Sequence, residues 1–173
     1  YRLLSFGWLG SNKQWRHYTA LYGFFAALAT PLVISVHSVV SWDFSMSILP
    51  GWHSTIFAPY FVAGAIFSGL AMVITLLVPM RRLFKLEPYI TVHHFENLAK
   101  LMLATSLIVG YAYLTEFFIA WYSGSPFEQG TFFDRMFGQY WGYSWMMFTC
   151  NVILPLLLFW KTVRTSLKAL FVM

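Results

Sequence analysis

Three observations predict an all-α fold of four membrane-spanning helices in a single bundle. Hydrophobic residues make up 59% of the 173-residue chain and charged residues only 10%, against about 25% charged in an ordinary soluble domain. Four apolar runs are each long enough, at about 1.5 Å rise per residue, to cross a hydrocarbon core of roughly 30 Å. The basic residues then sort by side: Arg2, Lys13, Arg16, Arg81, Arg82, Lys85, Lys100, Lys161, Arg164 and Lys168 fall at one end of the bundle, and only Arg135 at the other. Short basic loops stay in the cytoplasm. Both termini and the loop of residues 80–96 are therefore assigned to the cytoplasmic side of a multi-pass protein, with the other end facing a periplasm-like compartment.

The spans are expected at about 18–41, 55–79, 97–122 and 142–163. In the first, Pro31 removes a backbone donor and tends to bend the helix, and Thr30, His37 and Ser41 form a polar stripe around that bend. The second starts near Thr55, with Pro59 and Tyr60 in its first turns, and carries Gly64, Ala65, Ser68 and Gly69 at spacings that let a neighbouring helix approach. The third has Ser106, Gly110 and Tyr113 on one face with Glu116 beyond them, and the fourth has Ser144, Asn151 and Pro155 in a comparable line. Both stripes are expected to face inward. Trp42, Trp52, Trp121, Tyr122, Trp141, Tyr143 and Trp160 cluster at helix ends, where amphipathic rings sit among lipid headgroups. The 80–96 loop reads as a surface connection with Thr91 as a helix N-cap, and the outer loop from Ser123 to Tyr140 as a docking or covering loop.

Composition excludes several functions. Cys150 is the only cysteine, which rules out an internal disulfide and an iron–sulfur cluster held by this chain, since such clusters normally take four cysteines. There is no C-x-x-C-H for covalent haem and no phosphate-binding G-x-x-x-x-G-K-[ST] loop. The net charge of +5 reads as a topology signal in contact with anionic lipid, not as a nucleic-acid surface. The first residue is Tyr1, no segment has the layout of a cleavable signal peptide, and the chain is expected to be part of a longer subunit.

Four ionisable residues share one depth at the outer end: His37, Asp43 just past the first helix, His53 at the entrance to the second, and Glu116 inside the third. A charged group in a membrane is costly and marks a pathway or ligand site by default. Each also has a plain structural reading. His37 can serve the C-terminus of its helix, Asp43 can cap a turn, His53 can be interfacial, and Glu116 can be a neutral acid bonded to Tyr113. Haem would need opposed histidines, and only His37 and His53 lie level. Ion transport would need acids spaced through the membrane. A quinol needs groups near its oxygens that take protons as electrons leave, and a His beside an Asp or Glu in a low-dielectric pocket supplies them.

The runs "ATPLVISVHSVVSWDF", "PGWHSTIF", "EFFIAWYSG" and "CNVILP" resemble the NrfD/PsrC-like integral membrane subunits of bacterial alternative complex III, over nearly the whole chain. The resemblance implies a larger subunit of two four-helix bundles, of which this chain is one half, in a bacterial cytoplasmic (inner) membrane. It implies oxidation of a quinol, often menaquinol, at the periplasmic side, with electrons passed to an iron–sulfur subunit and protons released. Further implied partners are a homologous NrfD-like membrane subunit and cytochrome c-type subunits. It places Asp43 at the family's acidic quinone-pocket position, with His37 adjoining; His53, level with them, is a further quinone-binding candidate. It also implies a proton path, for which Glu116, Tyr113 and His37 are the candidates. No metal ligands are expected. The alternative is a non-catalytic anchor or assembly subunit whose polar stripes serve only packing and docking.

Overall fold

A helix begins where a residue outside it can satisfy its first free N–H groups, and α1 (Asn12–Ser45) starts on such a device. In this computed structural model, which describes residues 7–49 and 53–173, Gln14 N–H donates to Ser11 Oγ at 3.3 Å while Ser11 N–H donates back to Gln14 Oε1 at 3.2 Å. This reciprocal cap starts the helix earlier than hydropathy alone suggests, because its first turn is polar. Pro31 lies inside α1 without ending it. The helix runs on to Ser45, so Asp43 lies within its last turn and not beyond it. Arg2 and Trp52, singled out above, lie outside the described residues.

The chain forms two compact units that divide between His37 and Ser38. In the first, Trp8, Trp15 and Tyr18 meet edge to face, with Trp8 and Trp15 centroids 5.2 Å apart, and Tyr18 stacks on Tyr22. Aromatic rings beside Lys13 and Arg16 have the composition of an interfacial anchor.

In the second unit, the end of α1 is followed by α2 (Phe57–Leu83), α3 (Val92–Ser123) and α4 (Pro126–Phe137). After them come α5 (Trp141–Phe159), α6 (Lys161–Thr165) and α7 (Leu167–Val172). All regular structure among the described residues is helical, and α1, α2, α3 and α5 are long and apolar enough to cross a membrane. The chain is a four-span polytopic α-helical protein, as the sequence predicts.

The α2–α3 hairpin closes through a tight reversal. Lys85 takes a left-handed φ of 53°, Leu86 N–H donates to Arg81 O at 2.9 Å, and Arg81 Nε donates to Ile90 O at 2.6 Å. Thr91 then caps α3: its N–H donates to His94 Nδ1 at 3.2 Å, and its Oγ1 lies 2.9 Å from the same nitrogen. His93 lies beside Asn97 and Glu96. The two adjacent histidines thus have separate local partners.

Towards this basic end the helices enclose a closed core of Ile74, Val78, Phe95, Ala99, Met102, Leu103, Leu158 and Leu170. Glu96 lies 3.1 Å from Lys100 and 3.8 Å from Arg164, tying α6 to the start of α3. Arg164 also donates to the carbonyls of Leu158 and Phe159. Those carbonyls end α5, and Trp160 turns extended, which is why the span stops at Phe159 instead of running to about residue 163.

Along α5 the regular helix gives way at Thr149–Ile153 to a wide π turn and at Leu157–Phe159 to a narrow 3₁₀ turn. Pro155 is the cause on the sequence side, because it has no N–H to offer the carbonyl of Asn151 four residues earlier. Ser106 of α3 supplies a donor instead, its Oγ bonding Asn151 O at 2.8 Å. One turn further along α3, a side chain at Gly110 would meet Val152 at 3.2 Å. The polar stripes of α3 and α5 therefore face each other, as expected. The small-residue stripe of α2 behaves differently: a Cβ added at Gly64 or Gly69 meets nothing within 4 Å among the described residues. The close helix approach belongs to Gly110.

Candidate functional site

At the end remote from the basic cluster, α3 is overlaid by α4, a helix where the sequence suggests only a covering loop. Its start follows from Ser125-Pro126-Phe127-Glu128: proline suits the first helical position, and an acid suits the first turn. Arg135 complements the last turn. Contacts to its neighbours hold α4 down. Glu128 Oε2 accepts from Ser123 Oγ at 3.2 Å, and Gln129 Nε2 donates to Trp121 O at 3.2 Å. Phe132 meets Phe117 edge to face at 5.1 Å, and Trp145 Nε1 of α5 donates to Met136 O at 3.2 Å.

Beneath α4 lies a partly open cavity of about 570 Å³ lined by residues of α2, α3, α4 and α5. Phe57, Phe117, Met147 and Phe148 contribute apolar wall; Tyr60, Tyr113, Glu116, Asp134, Arg135 and Tyr143 contribute polar atoms. This volume falls within the ordinary range of small-molecule sites, roughly 300–1,000 Å³. Its deep side continues into a hydrogen-bonded row. Tyr60 and Tyr113 hydroxyls are 3.4 Å apart, Asn151 Nδ2 donates to the Tyr113 hydroxyl at 3.2 Å, and the Asn151 carbonyl receives Ser106. With Asn151 occupying one lone pair, the Tyr113 proton remains available to Tyr60 or to the cavity. Arg135 lies over the Phe132 ring, 5.7 Å from its centroid, a cation–π arrangement that keeps this guanidinium at the cavity wall.

A second, smaller cavity of about 160 Å³ lies alongside, lined by His53, Ser54, Glu116, Ala120, Glu128 and Phe132 among others. His53 Nε2 is 2.8 Å from Glu128 Oε1, and its Nδ1 is 3.1 Å from the carbonyl of Leu49. A carbonyl only accepts, so Nδ1 carries a hydrogen and Nε2 is the nitrogen that exchanges a proton with the carboxylate.

Of the residues proposed from sequence, Tyr113 and Glu116 share the larger cavity, and His53 and Glu116 the smaller. Asp43 is exposed on the last turn of α1 and borders neither. His37, in the first unit, donates from Nδ1 to Val33 O at 2.8 Å within its own helix. Among the described residues there is no group of three or more His, Cys, Asp or Glu suited to a metal. Sequence reasoning passed over Glu128, Asp134 and Arg135, because it left their segment without regular structure. Serine followed by proline, with glutamate two residues later, was the available signal of a helix start.

This arrangement can bury a flat apolar ring, hydrogen-bond its oxygens and take protons from them. A family model described as "Polysulphide reductase, NrfD" matches residues 2–173. No curated protein matches the chain. With that match and four helices able to span a membrane, the chain belongs to the NrfD family, membrane subunits of oxidoreductase complexes that interact with quinones and typically pair with iron–sulfur subunits.

Proposed function

We propose that this chain is a quinol-oxidising subunit of a respiratory complex of the alternative complex III type, in the inner membrane of a bacterium. The observation that carries the reading is that Glu116, Tyr60 and Tyr113, among other polar groups, line a largely apolar cavity at the end away from the basic cluster. In the reading, the apolar wall holds the ring of a quinol such as menaquinol while the phenols orient one of its hydroxyls. Glu116 accepts the proton that leaves as electrons pass to an iron–sulfur partner on the periplasmic face. Arg135 and Asp134 are charges of opposite sign at the same wall, so they offset one another there. The adjacent Tyr60 and Tyr113 hydroxyls support proton transfer along the cavity wall, while Asn151 and Ser106 hold Tyr113 and the α5 backbone in place. Asp43, His37 and His53 keep in this proposal their expected quinol-facing roles, and the c-type cytochrome and second NrfD-like subunit remain partners.

The test is steady-state quinol oxidation by the intact complex. Glu116→Gln keeps the shape and removes the proton acceptor, so turnover falls about 100-fold, the lower end of the usual range for general acid–base catalysis. Asp43→Asn is expected to lower turnover as well. Both variants are expected to assemble. Wild-type rates in both would leave the chain as a membrane anchor instead.

A further inference from the structure

Glu116 borders both cavities: the larger one and the smaller one that also holds His53 and Glu128. We propose that the His53–Glu128 pair is the proton outlet of the site, receiving protons from Glu116 through water in the smaller cavity and releasing them to the outer aqueous side. The inference rests on the quinol reading above and deepens it.

The geometry supports each leg. A water needs on the order of 10–15 Å³ of such space, so about 160 Å³ accommodates several. They would have polar partners in Glu116, Glu128, His53 and Ser54. Ser54 Oγ is buried and has no hydrogen-bond partner among the described residues, which is the condition under which an ordered water is expected. At the outer end, 47% of the His53 side chain is accessible whereas the Glu128 side chain is 19% accessible. The pair thus runs from the more sheltered Glu128 carboxylate at the cavity to the more exposed His53 ring. Because Nδ1–H is held by Leu49 O, only the Nε2 to Oε1 contact exchanges a proton, and it holds one at a time. Carrying it, the pair is neutral in sum, as imidazolium with carboxylate or as imidazole with carboxylic acid; without it, the pair bears one negative charge.

The balance is simple. A quinol loses two electrons and two protons. The electrons reduce one-electron iron–sulfur acceptors of a partner subunit. Each proton routed this way protonates the Glu116 carboxylate, passes by water to the anionic pair and leaves from His53, which restores the starting state. The other titratable or charged groups on the cavity walls are Tyr60, Tyr113, Asp134, Arg135, Tyr140 and Tyr143. None of them lines the smaller cavity.

The experiment uses the intact complex in proteoliposomes, a short-chain menaquinol as donor, and a pH-sensitive dye on the outer side. Glu128→Gln and His53→Gln are each expected to slow turnover and proton appearance together by at least fivefold. In Glu128→Gln the KM for quinol is expected to stay within twofold, and both variants are expected to show a larger solvent deuterium effect and a steeper loss of rate at low pH. Glu128→Asp, which keeps the carboxylate, is expected to restore most of the rate; this separates an outlet from a brace that merely holds α4. Wild-type rates, isotope effect and pH profile in both glutamine variants overturn the outlet while leaving quinol oxidation intact. Failure of Glu128→Asp to recover where Glu128→Gln is slow overturns it also, in favour of a structural contact. If the wild-type complex oxidises no quinol, both this inference and the reading beneath it fall.

Discussion

The two ends of the second unit are built from the same helices and solved differently. At the basic end, Phe95, Ala99 and Leu158 are fully enclosed, and the charged groups sit at the periphery of that core, where Glu96 meets Lys100 and Arg164. At the other end the helices surround a cavity whose lining includes Glu116, Tyr60 and Tyr113, and a short amphipathic helix covers the gap. Within a lipid bilayer no hydrophobic force pulls helices together, so close packing has to supply the stability. The closed end can therefore hold the helices in place, and the open end can give up contacts for chemistry. The fully buried Phe95 and the cavity-lining Glu116, both on α3, mark the two strategies.

That division can be broken most severely at its closed end. Phe95→Ala is expected to destabilise the folded chain by about 3–5 kcal/mol, the usual cost of emptying a phenylalanine site. Met147→Ala, at the cavity wall, is expected to cost under about 1 kcal/mol, because its side chain is 45% exposed and leaves no new enclosed void. Reversible unfolding in mixed micelles measures both, and equal losses would erase the distinction. A smaller effect is expected at the junction of the two ends. Ser106→Ala leaves the Asn151 carbonyl without the Ser106 hydroxyl, at a cost of about 1 kcal/mol, typical of interhelical hydrogen bonds in membranes. Amide exchange around residues 149–156 should rise in that variant more than around Phe95. The smallest effect has the opposite sign. Lys85→Gly relieves a left-handed residue where glycine is preferred and is expected to stabilise by up to about 1 kcal/mol in the same unfolding assay.

What the sequence made legible followed the physics that acts locally. Hydropathy located α1, α2, α3 and α5, and the seven-residue reach from Ser106 to Tyr113 correctly marked the inward face of α3. Thr91 was readable as a cap because its role involves residues within one turn. Contacts between distant segments were not readable in the same way. Gly64 and Gly69 carry the same small-residue signature as Gly110, yet only Gly110 meets another helix here, and no single-helix pattern distinguishes them. Glu116 and Tyr113 stood out as polar groups in apolar surroundings. Glu128 did not, because its segment mixes polar and aromatic residues without a long apolar run and its importance comes from His53, which reaches it from the α1–α2 connection. The helix of Pro126–Phe137 was hidden by its glycine and its mixed composition, although its first four residues announce it.

The wide and narrow turns of α5 bear on how such a helix can serve both ends at once. In a regular helix each residue advances the direction of its side chain by about 100°, so one surplus residue in a wide turn rotates everything after it relative to everything before. Ser144 and Phe148 ahead of the turn face the cavity, while Leu158 after it joins the closed core. The distortion is an angular offset between two half-helices, and it lets their sequences be tuned separately, one for filling space and one for leaving it empty.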